Sequence, residues 1–198
     1  MGNFDGVHLG HRSVIDAARA ACDAALGVIT FEPHPREFFA PDAPPFRLMN
    51  VESRANRLAR LGVDHLYQLP FDAVLAGLAP EAFAREVLVE GLGVAHVTVG
   101  RDFCFGKDRA GSAATLAELG GALGFGVTVQ PLIGHEGREY SSTAIRRALS
   151  EGRPRDAEAM LGHWHRIEGE VIHGDKRGRD FGWPTANMRL DGLHLPRL

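Results

Sequence analysis

The chain has 198 residues, of which 44% are hydrophobic and 24% charged, enough to bury a core and to form one domain plus part of another. Its formal net charge of −3 excludes the chain-wide basic field typical of nucleic-acid-binding proteins and favours a small-molecule substrate. The sequence has neither a run of about eighteen apolar residues nor a secretory leader, so we expect a cytoplasmic protein without a membrane partner.

Residues 2–11, Gly-Asn-Phe-Asp-Gly-Val-His-Leu-Gly-His, place glycines and two histidines just before an apolar-periodic helix predicted at about 8–24. Glycine has no Cβ, so the backbone N–H groups there can approach a ligand closely. His8 and His11 lie near the helix N-terminus, which favours anions. The segment predicts a phosphate site, although a surface turn with two solvated histidines would show the same four-residue pattern.

Strands and helices alternate along most of the chain. This alternation predicts an α/β unit with a parallel sheet covered on both faces, and ligands in such sheets bind beyond the carboxyl ends of the strands. The predicted strands are 26–31, 65–69, 94–99 and 126–130, and the predicted helices are 51–61, 80–91, 112–123, 141–149 and 154–161. Residues 166–172 alternate like a half-buried strand, which indicates a β-rich module beginning near residues 160–165.

Residues 141–146 form a second candidate phosphate-binding segment. Ser141, Ser142 and Thr143 open a helix, and Arg146 projects from its first turn. Hydroxyls, helix N–H groups and a guanidinium together suit a polyphosphate. By itself the segment could equally be an ordinary helix cap with a solvated arginine. Its pairing with the opening segment favours the phosphate interpretation.

Four segments in order carry a family resemblance: 2–11, 31–35 (Phe-Glu-Pro-His-Pro), 99–111 and 141–146. The HxGH and SSTxxR patterns are similar to those of nucleotidyltransferases, and the ordered set resembles the bacterial bifunctional riboflavin kinase/FMN adenylyltransferases, or FAD synthetases. The resemblance implies a Rossmann-like nucleotidyltransferase domain over residues 1–163. It also implies that residues 164–198 begin a β-barrel riboflavin kinase domain.

The activity implied by the resemblance is transfer of AMP from ATP to FMN, giving FAD and pyrophosphate, with Mg²⁺ as cofactor. His8, His11 and Arg146 would be catalytic. The implied ATP contacts are Gly2, Asn3, Phe4, Gly10, His11, Ser141, Ser142, Thr143 and Arg146, and the candidate flavin contacts are Asp102, Phe103, Phe105 and His34. Either phenylalanine could instead belong to the core.

In the kinase module, which makes FMN from riboflavin and ATP, the resemblance assigns Mg²⁺ binding to Thr185 and Asn187. The family has a strand before the opening segment, whereas only Met1 precedes it here, and the chain ends eleven residues after Asn187. We therefore expect a sheet without its central strand, no kinase activity, and a fragment or a mis-started gene model.

Three alternatives stay open. A related nucleotidyltransferase would use another phosphate acceptor, a non-catalytic module would only bind nucleotide or flavin, and an interaction protein would bind neither. The sequence does not indicate an oligomeric state.

Overall fold

The structure is a computed structural model that describes residues 1–135, 138–174, 182–183, 185–190 and 192–197. In chain order, the strands in these ranges are β1 (Gly27–Glu32), β2 (His65–Pro70), β3 (His96–Gly100), β4 (Cys104–Phe105), β5 (Gly111–Ser112), β6 (Gly126–Gln130), β7 (Gly134–His135), β8 (Arg138–Glu139), β9 (Val171–Ile172) and β10 (Asn187–Met188). The helices are α1 (Leu9–Ala21), α2 (Pro35–Phe39), α3 (Val51–Arg60), α4 (Ala73–Gly77), α5 (Pro80–Ala82), α6 (Ala113–Leu123), α7 (Ser142–Ser150) and α8 (Pro154–Leu161), with a π-helix over Phe83–Gly91 and a 3₁₀ turn over Lys107–Arg109.

The predicted α/β class is confirmed, and two predicted elements differ from the structure. The helix predicted at 80–91 begins as α5 and continues as the π-helix, for which the sequence pattern gives no signal. The strand predicted at 166–172 is reduced to β9. Before β9, the Glu168 carbonyl accepts a hydrogen bond from Asn50 Nδ2 at 3.0 Å, which binds this backbone to the start of α3.

Two pairs of parallel strands form the sheet framework. β1 pairs with β2 from Gly27 opposite His65 onwards, and β3 pairs with β6 from His96 opposite Gly126. Among the described residues, no strand joins β1 to β3. These two pairs are therefore separate sheets in the structure.

Met1 and Gly2 lie between the two parallel sheets. The Met1 ammonium donates to the Thr98 carbonyl at 3.0 Å, and the Gly2 N–H donates to the Ile29 carbonyl at 3.1 Å. A cavity of about 320 Å³ opens beside them, lined largely by apolar side chains that include Val14, Ile15, Val28 and Val97. Burial lowers the pKa of the Met1 ammonium to about 5.

Three apolar clusters make up the core. The first surrounds β3 and α6, and the second joins Leu48 to α7 and α8. The third brings Phe4 and Val7 of the opening segment against Ile15, Val28 and Leu58. The opening segment is therefore anchored in the core, although it contains little regular structure.

None of the helices in the described part of the chain combines the length and the apolar character needed to cross a bilayer.

Candidate functional site

The opening segment is held in a shape that places its polar groups on one side. Phe4 and Val7 adopt positive φ angles of 52° and 41°, uncommon for residues with a side chain, while both side chains are almost completely buried. Tertiary packing therefore sustains the unusual backbone. Between them, the buried Asp5 carboxylate accepts a hydrogen bond from the Leu48 N–H at 2.8 Å.

The two histidines of the opening segment cap the start of α1 in a reciprocal pair. Nδ1 of His8 accepts from the His11 N–H, and Nδ1 of His11 accepts from the His8 N–H, both at 3.3 Å. Their rings stack with centroids 3.6 Å apart. Each ring therefore uses Nδ1 on the backbone, and Nε2 is the nitrogen left for a ligand.

Both histidine rings are held in the neutral form. Burial lowers the pKa of His8 to about 4, with Arg146 acting in the same direction. Burial, His8 and the chain terminus lower the pKa of His11 well below its usual value. Because Nδ1 of each ring is an acceptor, the single ring proton lies on Nε2. The site thus presents two neutral N–H donors to an incoming oxyanion.

The second segment meets the first at the start of α7. Ser141 Oγ caps the helix by accepting from the Ala144 N–H at 3.1 Å. Ser142 Oγ donates to the Asp5 carbonyl at 2.8 Å. Both serine hydroxyls are therefore engaged in holding the site together. Among the described residues, the N–H groups of Ser142 and Thr143 meet no acceptor, so they remain for a ligand.

Gly10 allows the two segments to approach closely. A Cβ at this position would lie 2.9 Å from Cε1 of His8 and 3.2 Å from the Tyr140 carbonyl, which immediately precedes the serines. A side chain here would therefore displace either the His8 ring or the backbone leading into α7.

Arg146 is fixed from both sides. Its Nη1 lies 2.7 Å from Asp5 Oδ2, and its guanidinium carbon lies 5.5 Å from the centre of the Phe46 ring. Arg36 lies over the same ring at 4.6 Å, and His34 contacts its edge with centroids 4.9 Å apart. The segment around residues 34–36 thus adds a second guanidinium close to α7.

A buried ion-pair network supports this cluster. Arg47 binds Glu32 through Nη2 at 2.8 Å and also binds Glu37, while Arg54 binds the same Glu32 carboxylate. Although burial acts against ionisation, the two arginines lower the pKa of Glu32 overall. The network joins the end of β1 to α2 and α3.

The structure brings several predicted residues together. His8, His11, Ser141, Ser142, Thr143 and Arg146 surround one region, with Gly10 beside them. The other three predicted ATP contacts, Gly2, Asn3 and Phe4, make contacts within the protein. The Gly2 N–H donates to the Ile29 carbonyl, the Asn3 carbonyl lies 3.4 Å from Arg54 Nη1, and the Phe4 ring is buried.

The predicted flavin contacts fall into two groups. His34 belongs to the Arg146 cluster, where its Nδ1 caps α2 by accepting from the Arg36 N–H and burial lowers its pKa to about 4. Asp102 is exposed beyond β3. Phe105 is a core residue packed near Phe83, which favours the core interpretation for it. Phe103 is half-buried and stacks on Phe105.

Sequence reasoning missed Asp5, Arg36, Phe46 and Arg47. Asp5 lies inside the predicted segment 2–11, and Arg36 directly follows the segment 31–35. Their positions next to recognised motifs were therefore a signal for both residues. Phe46 and Arg47 follow a proline-rich loop and show no pattern of their own. Only the tertiary structure brings them to the site.

No described residues form a cluster of three histidine, cysteine or carboxylate side chains suited to a metal ion. Asp5 is already paired with Arg146. Thr185 and Asn187 are exposed, and Asn187 lies in β10 opposite Ile172. Their assignment to Mg²⁺ stays a prediction.

Comparison with known proteins gives two family matches. The FAD synthetase model matches residues 1–144, and the riboflavin kinase model matches residues 161–197. The bifunctional riboflavin kinase/FMN adenylyltransferase of Escherichia coli K12 is 39% identical over 96% of this chain. Its counterparts from Pseudomonas fluorescens and Bacillus subtilis are 40% and 38% identical over 99% and 98% of the chain. The chain spans 62%, 64% and 62% of these three proteins, respectively.

Two solved structures are also similar. A macrolide-efflux protein from Streptococcus pneumoniae matches 99% of the chain and 65% of its own length, with a TM-score of 0.84 and 31% identity. A pantoate–β-alanine ligase from Francisella tularensis, in complex with β-γ ATP and β-alanine, matches 81% of the chain and 68% of its own length with a TM-score of 0.51 and 16% identity. The second likeness concerns the fold alone.

Proposed function

Because the chain belongs to the FAD synthetase family, we propose that residues 1–163 act as an FMN adenylyltransferase domain that transfers AMP from ATP to FMN, giving FAD and pyrophosphate. Residues 164–198 would belong to a riboflavin kinase domain, whose reaction of riboflavin with ATP supplies FMN. ATP and flavins are thus the small-molecule partners. No partner nucleic acid or membrane enters this proposal, and the setting would be the cytoplasm.

The observation that carries the proposal is the physical link between the two phosphate-type segments. The carbonyl of Asp5 binds Ser142, and its carboxylate binds Arg146, so the histidine loop and the start of α7 form one unit. Two neutral imidazole N–H donors, free helix N–H groups and a guanidinium then surround a single region. Such a set suits the linked phosphates of a nucleotide better than one isolated anion.

In the proposed reaction, a phosphate oxygen of FMN attacks the α-phosphorus of ATP in line. The bond from that phosphorus to the bridging oxygen breaks, and pyrophosphate leaves with the electron pair. The enzyme chiefly positions the two anions and stabilises the charge that develops in the transition state. No covalent intermediate with the protein is required.

The role of each polar group in the site follows from the donors that it does not already use within the protein. His8 and His11 donate from Nε2 to the α-phosphate oxygens, where charge builds up. The N–H groups of Ser142 and Thr143 and the guanidinium of Arg146 hold the departing β- and γ-phosphates. Ser141 and Ser142 contribute through backbone geometry, since their hydroxyls are already engaged.

Mg²⁺ would offset phosphate charge in this reaction when bound to the nucleotide. The described side chains form no three-ligand metal cluster, and Asp5 is committed to Arg146. The steps proposed above therefore use the chain's own donors, and metal ligands would come mainly from phosphate oxygens.

The flavin would lie on the side of His34, Arg36 and Phe46. Arg36 lies over the Phe46 ring, so this side of the site presents positive charge to the FMN phosphate. Asp102 and Phe103 remain candidates for contacts with the flavin ring. None of the described contacts links either residue to the His8 cluster.

The test is FAD formation from FMN and Mg-ATP, followed by chromatography with fluorescence detection and by pyrophosphate release. Nicotinamide mononucleotide and phosphopantetheine in place of FMN test the alternative of another phosphate acceptor. We expect product with FMN as the acceptor and none with the other two compounds. Binding of FMN and ATP by the folded protein without pyrophosphate release would instead support a non-catalytic module, and binding of neither would contradict the assignment.

A further inference from the structure

A second pocket, of about 90 Å³, lies between α3 and residues 163–168. Its polar lining consists chiefly of Ser53, Asn56, Arg57, Arg60, His165 and Arg166. None of the residues assigned above to ATP or flavin lines it. The pocket is therefore separate from the candidate active site.

The pocket concentrates positive charge. Three arginines line it, whereas its one carboxylate, Glu168, accepts a hydrogen bond from Ser53 Oγ at 2.8 Å. Within the part of the chain that the structure describes, none of these three arginines forms an ion pair. Burial and the neighbouring guanidiniums of Arg60, Arg166 and Arg12 lower the pKa of Arg57.

Two polar atoms at the pocket are buried without a hydrogen bond. They are Nε of Arg57 and Nε2 of His165. A buried donor or acceptor left unpaired costs about 1–3 kcal/mol, so unpaired atoms at a pocket point to a ligand that satisfies them. The two atoms differ in chemistry: Arg57 Nε is a donor, whereas a nitrogen of a neutral imidazole donates or accepts according to the tautomer.

We propose that this pocket binds a hydrogenphosphate group. The guanidiniums of Arg57, Arg60 and Arg166 donate to its oxygens, since paired N–H donors of arginine match oxyanions. Burial lowers the pKa of His165 and favours the neutral ring, and in this proposal its Nε2 accepts the O–H of the ligand. The ligand is inorganic phosphate in its hydrogenphosphate form. This inference does not rest on the proposed adenylyltransferase reaction.

The pocket also touches the opening segment. His163 Nε2 lies 3.1 Å from the Gly6 carbonyl, and Gly6 itself lines the pocket. Trp164, between His163 and His165, is 64% exposed and lines the same pocket. A bound phosphate would therefore change the surroundings of this indole, which provides a direct probe.

The experiment titrates inorganic phosphate against Trp164 fluorescence at pH 7.5 and constant ionic strength, with potassium chloride as the balancing salt. The chain has two tryptophans, so a Trp183→Phe background isolates Trp164. We expect a saturable change, weakened at least tenfold by Arg57→Gln and by Arg166→Gln. Arg155→Gln, a change of an exposed arginine of α8 away from the pocket, should leave the titration unchanged.

Two further arms make the test decisive. Methyl phosphate is mostly a dianion without an O–H at pH 7.5, so it should bind more weakly than inorganic phosphate. Sulfate also has no O–H at this pH and should bind more weakly, so equal affinity for sulfate would overturn the role of His165. Absence of saturation, or saturation that Arg57→Gln and Arg166→Gln leave unchanged, would overturn the site. Arg166 is exposed, so its variant remains informative if Arg57→Gln fails to fold.

Discussion

Asp5 and Arg146 are 141 residues apart in sequence and 2.7 Å apart in space. Burial raises the pKa of Asp5, while the guanidinium of Arg146 and the Leu48 N–H favour its charged form. This ion pair, together with the bond from Ser142 to the Asp5 carbonyl, aligns the histidine loop with α7. The candidate site therefore depends on a contact that neither segment makes alone.

Replacing Asp5 by alanine should lower the free energy of unfolding by about 3–5 kcal/mol, because the variant leaves a largely buried arginine unpaired. Urea denaturation measures this loss. Asp16→Ala is the matched control, since its pairs with Arg12 and Arg19 are exposed and worth at most about 1 kcal/mol. Equal losses in the two variants would contradict a structural role for the Asp5 pair.

His8→Asn separates helix capping from catalysis. Asparagine is a good helix N-cap, so the variant should keep its stability within about 1 kcal/mol of the wild type. It lacks the Nε2–H donor, and the rate of FAD formation should fall about 10²–10³-fold. His8→Ala removes both functions and should lose about 1 kcal/mol more. Wild-type turnover in a folded His8→Asn variant would exclude the proposed donor.

Stability should fall in acid because His8 and the Met1 ammonium have lowered pKa values in the folded protein. The contribution of Met1 is complete above pH 8 and is lost as the pH falls towards about 5. That of His8 is complete above pH 6.5, is lost towards about pH 4, and amounts to about 3 kcal/mol. Urea denaturation between pH 8 and 4 measures both.

The histidine part of this pH dependence can be isolated by substitution. His8→Asn should reduce the slope of the stability curve between pH 6.5 and 4, where the lowered pKa values of His11 and His34 still contribute. His65→Asn, a change of an exposed histidine in β2, should leave the curve as it is. A curve for His8→Asn parallel to that of the wild type would show that His8 titrates normally in the folded state.

Arg146→Lys should weaken the use of ATP more than that of FMN. Lysine keeps the charge but loses the planar set of donors that binds Asp5 and a phosphate together. We expect KM for ATP to rise about tenfold or more, with a smaller change in KM for FMN, in steady-state assays. Arg147→Lys, on the exposed side of the same helix, is the control. A rise confined to KM for FMN would show that Arg146 contacts FMN and not ATP.

The cavity beside Met1 should accept an added strand. A five-residue extension rich in valine and isoleucine before Met1 would replace the buried amino terminus by an amide and fill apolar space between β1 and β3. We expect the melting temperature to rise and hydrogen exchange at Ile29 and Thr98 to slow. An extension of glycine and serine is the control. Equal effects of the two extensions would show that only the conversion of the amino terminus into an amide matters.

Much of the fold could be predicted from the sequence, because most helices and strands that pack on the core show a periodic pattern of apolar residues. It predicted α8 and β6 with their observed bounds, and α7 beginning one residue from its observed start. It did not predict the π-helix after α5, whose apolar pattern resembles that of an ordinary helix.

The site was predictable in its parts and not in its connections. His8, His11 and Arg146 belong to recognisable motifs, which was enough to nominate them, and their roles stay predictions. The engagement of Ser141 and Ser142 in structural hydrogen bonds depends on where the opening loop lies in three dimensions. The position of Phe46 between two guanidiniums depends on tertiary packing in the same way.

In the proposed reaction, the reciprocal capping of α1 by His8 and His11 has a consequence for each catalytic cycle. A free imidazole would have to choose a tautomer and a ring orientation before it could meet a substrate, with a loss of entropy at every turnover. Here the backbone N–H groups bind both Nδ1 atoms beforehand. The two reactive donors are thus oriented once, when the chain folds, and they meet each substrate already aligned.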